Sequence, residues 1–148
     1  MSRIFFKKLK TKEYNDNQNH SQQKKMDCLF CNIEDERIIA ENDLAYAIRD
    51  GFPVTQFHTL IIPKRHAINY FDMKKEEVLA CDKLIRQVKE DIEAIDPSVD
   101  GFNIGINSGE SSGQTIFHCH IHLIPRRTND VQNPKGGVRH IIPGKGYY

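Results

Sequence analysis

In the stretch FHCHIHLIP the histidines fall at every second position: His118, His120 and His122. Side chains two apart on an extended segment share a face. The spacing therefore predicts a strand over Ile116 to Ile124, with three imidazoles about 7 Å apart on one side. Phe117, Cys119, Ile121 and Leu123 take the other side, so one face is apolar and the other is a row of histidines. Two chemistries suit such a row. In the first, one neutral imidazole attacks an electrophile while its neighbours orient it and stabilise developing charge, which works near neutral pH because histidine titrates near 6.5. Phosphorus is the electrophile the surroundings favour. The preceding NSGESSGQT can turn backbone N–H groups inward, and Thr115 adds a hydroxyl for phosphate oxygens. In the second, two alternate histidines share a zinc ion that activates water.

The elements that must carry this row follow from periodicity. Ile38 to Ala40, Leu44 to Arg49 and Phe57 to Ile62 are short apolar runs bounded by turn residues, hence strands, with Asn42-Asp43 as a hairpin turn. Val78, Cys81, Ile85, Val88, Ile92 and Ile95 recur at spacings of three and four. They predict one long amphipathic helix with Asp72 as its N-cap and Asp96-Pro97 as its stop. GFNIGIN reads as a further strand and SGESSG as a loop. The expected architecture is α+β: an antiparallel sheet with one long helix packed across it.

Length and charge narrow the partners. A chain of 148 residues, 39% hydrophobic and 28% charged, is sized for one soluble domain. No run approaches the roughly 20 apolar residues of a membrane span, and no secretory pattern opens the chain, so the cytoplasm is expected and a membrane partner is not. Residues 1–25 carry seven Lys/Arg against two acidic residues and end in a polar Asn/Gln-rich tract. They read as a disordered extension to a domain over 26–148. That domain has fourteen basic against eighteen acidic residues, which argues against nucleic acid as a partner. The four cysteines are expected reduced, with Cys81 and Cys119 as small buried hydrophobes.

HCHIHLI, together with CLFCNI, AYAIRDGFPVTQFHTLIIPKRH and NIGINSGESSGQTIFHCHIHLIPRR, resembles the bacterial members of the histidine triad nucleotide-binding superfamily. The likeness runs from Cys28 to Arg127. It implies a dimerising α+β fold and a nucleotide hydrolase or transferase. Such an enzyme would cleave a purine nucleoside monophosphate from a leaving group, in a dinucleoside polyphosphate or a nucleoside phosphoramidate, through a covalent nucleotidyl-histidine. The rival expectation is a non-catalytic, zinc-stabilised nucleotide-binding module of the same fold.

By the same resemblance His120 is the nucleophile, His122 the phosphate contact, and His118 the residue that orients His120 through its backbone carbonyl. Asp50 matches the acid that accepts from the ribose hydroxyls. An exposed turn aspartate beside Gly51 is the alternative. Asn107, Gln114 and Thr115 match contacts to the phosphate and leaving group, with capping of their own loop as the alternative. His58 matches a histidine that supports the triad. Cys28 and Cys31 form a C-x-x-C pair that needs two more ligands to close a tetrahedral site. In members that carry the pair, His66 and His118 complete a structural zinc centre, so zinc is the implied cofactor. The tail after the triad does not resemble that of the eukaryotic nucleoside phosphoramidases, and its Arg126, Arg127, Lys135, Arg139 and Lys145 are candidates for distal phosphates.

Overall fold

The computed structural model describes residues 27–147; the basic extension lies outside the described residues. Five antiparallel strands form one sheet: β1 (Ile38–Glu41), β2 (Ala45–Arg49), β3 (Thr59–Pro63), β4 (Gly101–Gly105) and β5 (Ile121–Arg126), in the order β1-β2-β3-β5-β4. Asn42 closes the first hairpin, its Oδ1 accepting from the backbone N–H groups of Leu44 and Ala45 at 3.1 and 2.9 Å. A single long helix, α1 (Lys75–Ile95), crosses β1, β2 and β3.

Alternation along the strands splits the interior in two. Ala45, Ala47, Ile61, Ile121 and Leu123 face α1 and meet Cys81, Leu84, Val88 and Ile92. Each valine, leucine or isoleucine among them contributes about 1.5–3 kcal/mol when fully buried. Leu84→Ala in this layer would cost about 2–5 kcal/mol. Tyr46, Ile48, Leu60 and Ile62 point the other way, and Phe30 from the N-terminal CLFC turn covers them. His122, paired with Leu60, and His118 and His120, whose rings meet Phe30, lie on this second side.

Three expectations need correction. The helix stripe is Glu77, Cys81, Leu84, Val88 and Ile92, while Ile95 is exposed. Asp72 does not cap the helix. It belongs to a short 3₁₀ turn over Tyr70–Asp72, opened by Asn69, and α1 begins after Lys74, whose backbone N–H donates to Glu77 Oε2 at 2.7 Å. The third concerns the triad: β5 starts only at Ile121, so His118 and His120 precede the strand. The pairing of β3 with β5 runs Thr59↔Leu123, Leu60↔His122, Ile61↔Ile121. Continued, it would set Cys119 against Pro63, which has no N–H to donate. The ladder ends there, and the Cys119 N–H turns to the carbonyl of Ala67 at 2.7 Å.

Candidate active site and metal centre

Because the chain leaves the sheet at Pro63, the three histidines occupy three environments instead of one row. His118 is fully buried, and its Nε2 lies 2.8 Å from the carbonyl of Pro63. A carbonyl only accepts, so Nε2 carries the proton and the Nδ1 lone pair points elsewhere. It points at sulfur: Nδ1 is 3.4 Å from Cys28 Sγ and 3.5 Å from Cys31 Sγ. His66 Nδ1 is 3.2 Å from Cys31 Sγ, and the four ligand atoms all lie within 4.8 Å of one another.

Two sulfurs and two nitrogens around one tetrahedral zinc stand with S···N separations of roughly 3.5 Å, given Zn–S near 2.3 Å and Zn–N near 2.0–2.1 Å. The set fits a closed Cys₂His₂ centre, and the Pro63 carbonyl supplies the outer hydrogen bond that orients a metal-binding imidazole. All four positions would be protein atoms, so zinc there would tie the N-terminal turn to the catalytic segment without activating water.

His120 follows. Its Nδ1 is 2.9 Å from the carbonyl of His118, so in the neutral ring Nδ1–H donates and Nε2 keeps the lone pair. The residue is 8% exposed. Among the described residues no buried side-chain nitrogen or oxygen lacks a partner, and the His120 ring makes its hydrogen bond through Nδ1 alone. Nε2 is therefore open to solvent. Phe30 and His122 both stand edge-on to this ring, each with its centroid 5.2 Å away.

The ring of His122 is set by a chain of donors. The backbone N–H of Val54 donates to His58 Nδ1 at 3.3 Å, which leaves the proton of neutral His58 on Nε2. That Nε2 lies 3.0 Å from His122 Nδ1, so His122 accepts there and carries its own proton on Nε2. Burial, with repulsion from His120 and His58, pushes the His122 imidazole down to about 4, and burial also lowers His58 against the pull of Asp50. Asp50 Oδ2, at 3.5 Å from His58 and 3.9 Å from His122, is consequently beside two neutral rings near pH 7, not in an ion pair. The Oδ1 of Asp50 accepts from Phe52 N–H at 2.9 Å, so the carboxylate shapes its own turn while its other oxygen faces the histidines.

The remaining candidates separate. Asn107 lines, with His58 and His122, a cavity of about 700 Å³. Its far wall is the C-terminal segment, including Val138, His140, Ile141 and Tyr147. His120 is not among its lining residues. Thr115 is exposed. Gln114 is turned inward: Oε1 accepts from Gly109 N–H at 2.8 Å, and Nε2 donates to the carbonyls of Ile68 and Ile116 at 2.6 and 3.1 Å. Its side chain holds the loop together. The three tail arginines are engaged by protein partners. Arg126 grips Asp130 and Asn103, Arg127 grips Asp96 and Thr55, and Arg139 donates to the carbonyls of Gly146 and Lys145. Cys81 and Cys119 are buried thiols pushed up to about 12 and 11 by desolvation.

Sequence reasoning missed three contributors: the Val54 N–H, the Pro63 carbonyl and the tail wall of the cavity. The first two are backbone groups and carry no side-chain signal; the proline after LII at least marks where the ladder must stop.

Residues 32–129 match the HIT domain family, and the chain belongs to it. It is 33% identical over 129 residues to an uncharacterized HIT-like protein of Saccharolobus solfataricus, a match covering 82% of this chain and 89% of that one. It is 36% identical over 108 residues to the adenylylsulfatase HINT3 of Arabidopsis thaliana, covering 70% of this chain and 54% of that one. Among solved structures, a Zn-bound histidine triad family protein from Mycobacterium smegmatis superposes with a TM-score of 0.66 at 32% identity, over 74% of this chain and 81% of that one. Diadenosine triphosphate hydrolase from Plasmodium falciparum does so with a TM-score of 0.62 at 27% identity, over 68% of each chain. The family thus includes hydrolases of nucleotide substrates, and its five-stranded sheet with one long helix is the fold found here.

Proposed function

We propose that the protein is a nucleotidyl hydrolase or transferase whose nucleophile is His120. The observation that carries this is the pair of ring assignments: His118 O holds His120 in the tautomer with an outward Nε2 lone pair, while His58 holds His122 in the tautomer with an outward N–H. One neighbour attacks and the other donates. The Nε2 of His120 bonds to the phosphorus of a nucleoside monophosphate group, and the bond to the leaving group breaks with its electron pair departing on that group. The N–H of His122 stabilises charge on a non-bridging oxygen. Water then adds to phosphorus, the N–P bond breaks, and the pair returns to Nε2.

Asp50 accepts from the ribose hydroxyls, Asn107 and Thr115 contact the phosphate side, and the cavity beside His122 takes one arm of the substrate. Its size suits a group of nucleoside dimensions. The likeness to an adenylylsulfatase and to a diadenosine triphosphate hydrolase supports an adenosine phosphate as substrate, with a dinucleoside polyphosphate or a nucleoside phosphoramidate as the two candidates. The Cys28, Cys31, His66, His118 set holds structural zinc, a reading supported by the ligand geometry and by the Zn-bound relative. The edge strand β4, whose Ile104 is 51% exposed, supports a homodimer. Among the described residues no helix is long and apolar enough to cross a membrane, and we place the protein in the cytoplasm.

The test is trapping. Brief incubation with labelled diadenosine polyphosphate or adenosine phosphoramidate, followed by peptide mass analysis, should show an adenylyl group on His120. Saturated binding without any adduct or turnover would support a non-catalytic binding module instead.

A further inference from the structure

Phe57 has a φ of 68°, one of two positive values at residues other than glycine among those described. A left-handed backbone crowds Cβ of any L-residue, and an aromatic side chain offers no local hydrogen bond in return. Other groups must hold it there. The Phe57 carbonyl accepts from Arg49 Nη1 at 3.2 Å and from the Thr59 hydroxyl at 2.8 Å. Arg49 also donates to Thr59 Oγ1, and its guanidinium stands 5.2 Å from the centroid of the Phe57 ring. Arg49 and Thr59 face each other directly across β2 and β3, so the clamp is built on two paired strands. The residue released from it is His58, which bonds to His122.

We propose that Arg49 is a positioning residue for the reaction: it pins the carbonyl and ring of left-handed Phe57 and thereby fixes His58, which sets the tautomer of His122. The inference rests on the reading of His122 as the phosphate donor. Without the guanidinium, Phe57 relaxes toward an extended φ, the His58 ring turns away from Val54 N–H and His122 Nδ1, and His122 is free to place its proton on either nitrogen. Strain at this turn is thus stabilised from the helix side of the sheet and used on the opposite side.

A double-mutant cycle of Arg49→Met and Phe57→Gly tests it, with two readouts: steady-state kinetics on an adenosine phosphoramidate, and ¹⁵N shifts of the His122 ring, which report the tautomer. Arg49→Met should lower kcat about tenfold with KM within about twofold, since a small misplacement of a catalytic group acts on rate. It should also shift His122 from one tautomer to a mixture. Glycine accepts the left-handed backbone without a clamp, so in the Phe57→Gly background the loss caused by Arg49→Met should shrink to about threefold or less. Arg49→Lys, which can still donate to the carbonyl, should fall between and serves if Arg49→Met does not fold. Equal losses in both backgrounds, or a single His122 tautomer in Arg49→Met or Arg49→Lys with kcat unchanged, overturns the proposal. Absence of any His120 adduct in the unsubstituted protein would instead overturn the catalytic reading, and the tautomer measurement still judges this one.

Discussion

The Nδ1 of His120 sits 2.9 Å from the carbonyl oxygen of His118, a hydrogen bond between one histidine's ring and another's backbone. In the neutral ring it puts the proton on Nδ1 and leaves the lone pair on Nε2, the nitrogen proposed to attack, with a peptide oxygen in the place an acid could take. His120→Ala removes the nucleophile and leaves Asp50, His58 and His122 in place. Turnover and the covalent adduct should be lost, with nucleotide affinity by calorimetry kept within about tenfold. Retention of wild-type rate would exclude His120 as the attacking group.

The same carbonyl belongs to a residue whose ring faces the two cysteines, so the proposed zinc centre and the proposed nucleophile share a backbone. Purified protein should contain about one zinc per chain by mass spectrometry, and Cys28→Ser should lose it. Losing a structural metal removes folding free energy, so melting should fall by about 5–10 °C. Activity should fall as well, since the His118 ring then keeps the Pro63 carbonyl but loses its tie to the N-terminal turn. Metal-free protein with unchanged melting would exclude a structural zinc centre.

The His122 ring makes a prediction about acid. Its folded-state value of about 4 lies below the ordinary 6.5, so between those values the unfolded chain binds the extra proton and stability rises with pH. Stability is therefore lost as pH falls from about 6.5 toward 4, and His122 contributes to the loss. An NMR titration should show its ring neutral down to about pH 5. A midpoint near 6.5 would mean that burial does not hold it neutral, and the donor chain from Val54 would need to be redrawn.

These cases also show what the linear sequence discloses. The period of two marked the histidines as a unit, and of the apolar residues between them Cys119, Ile121 and Leu123 are buried as expected while Phe117 is exposed. The pattern could not show that residues 116–118 form a bend and that pairing begins only at Ile121, because that depends on where the partner strand stops. Cys28 and Cys31 were legible as a ligand pair, whereas His66 and His118 were joined to them only through family resemblance, being brought near by the return of β3. The long helix was plain from its spacing, but its cap moved from Asp72 to Lys74 because Glu77 in the first helical turn accepts from the Lys74 N–H and is gripped by Arg65 from outside the helix. Left-handed Phe57 had no sequence signal, since phenylalanine is not a residue that marks positive φ.

That turn supplies the last prediction. Arg65 donates from Nε and Nη2 to the two carboxylate oxygens of Glu77 at 2.6 and 2.7 Å, and from Nη2 to the carbonyl of Asp72 at 2.8 Å. Glu77 is buried, at 4% exposure, and also accepts from the N–H of Lys74. The hydrogen bonds from Arg65 hold the Glu77 carboxyl below its ordinary range. A depressed carboxylate stabilises the fold above its unfolded value, and that contribution is lost as pH falls through the folded one. Arg65→Met leaves the carboxylate buried with the Lys74 N–H as its remaining partner. Because Arg65 itself is partly exposed, the loss should be about 1–2 kcal/mol at pH 7, less than for a fully buried pair. Chemical denaturation at pH 7 and pH 4 checks this, and the gap between Arg65→Met and the unsubstituted protein should narrow at pH 4. Since Arg65 adjoins His66, zinc affinity should weaken in the same variant. A stability gap that stays constant with pH would show that packing of the arginine stem, and not its charge, holds this corner.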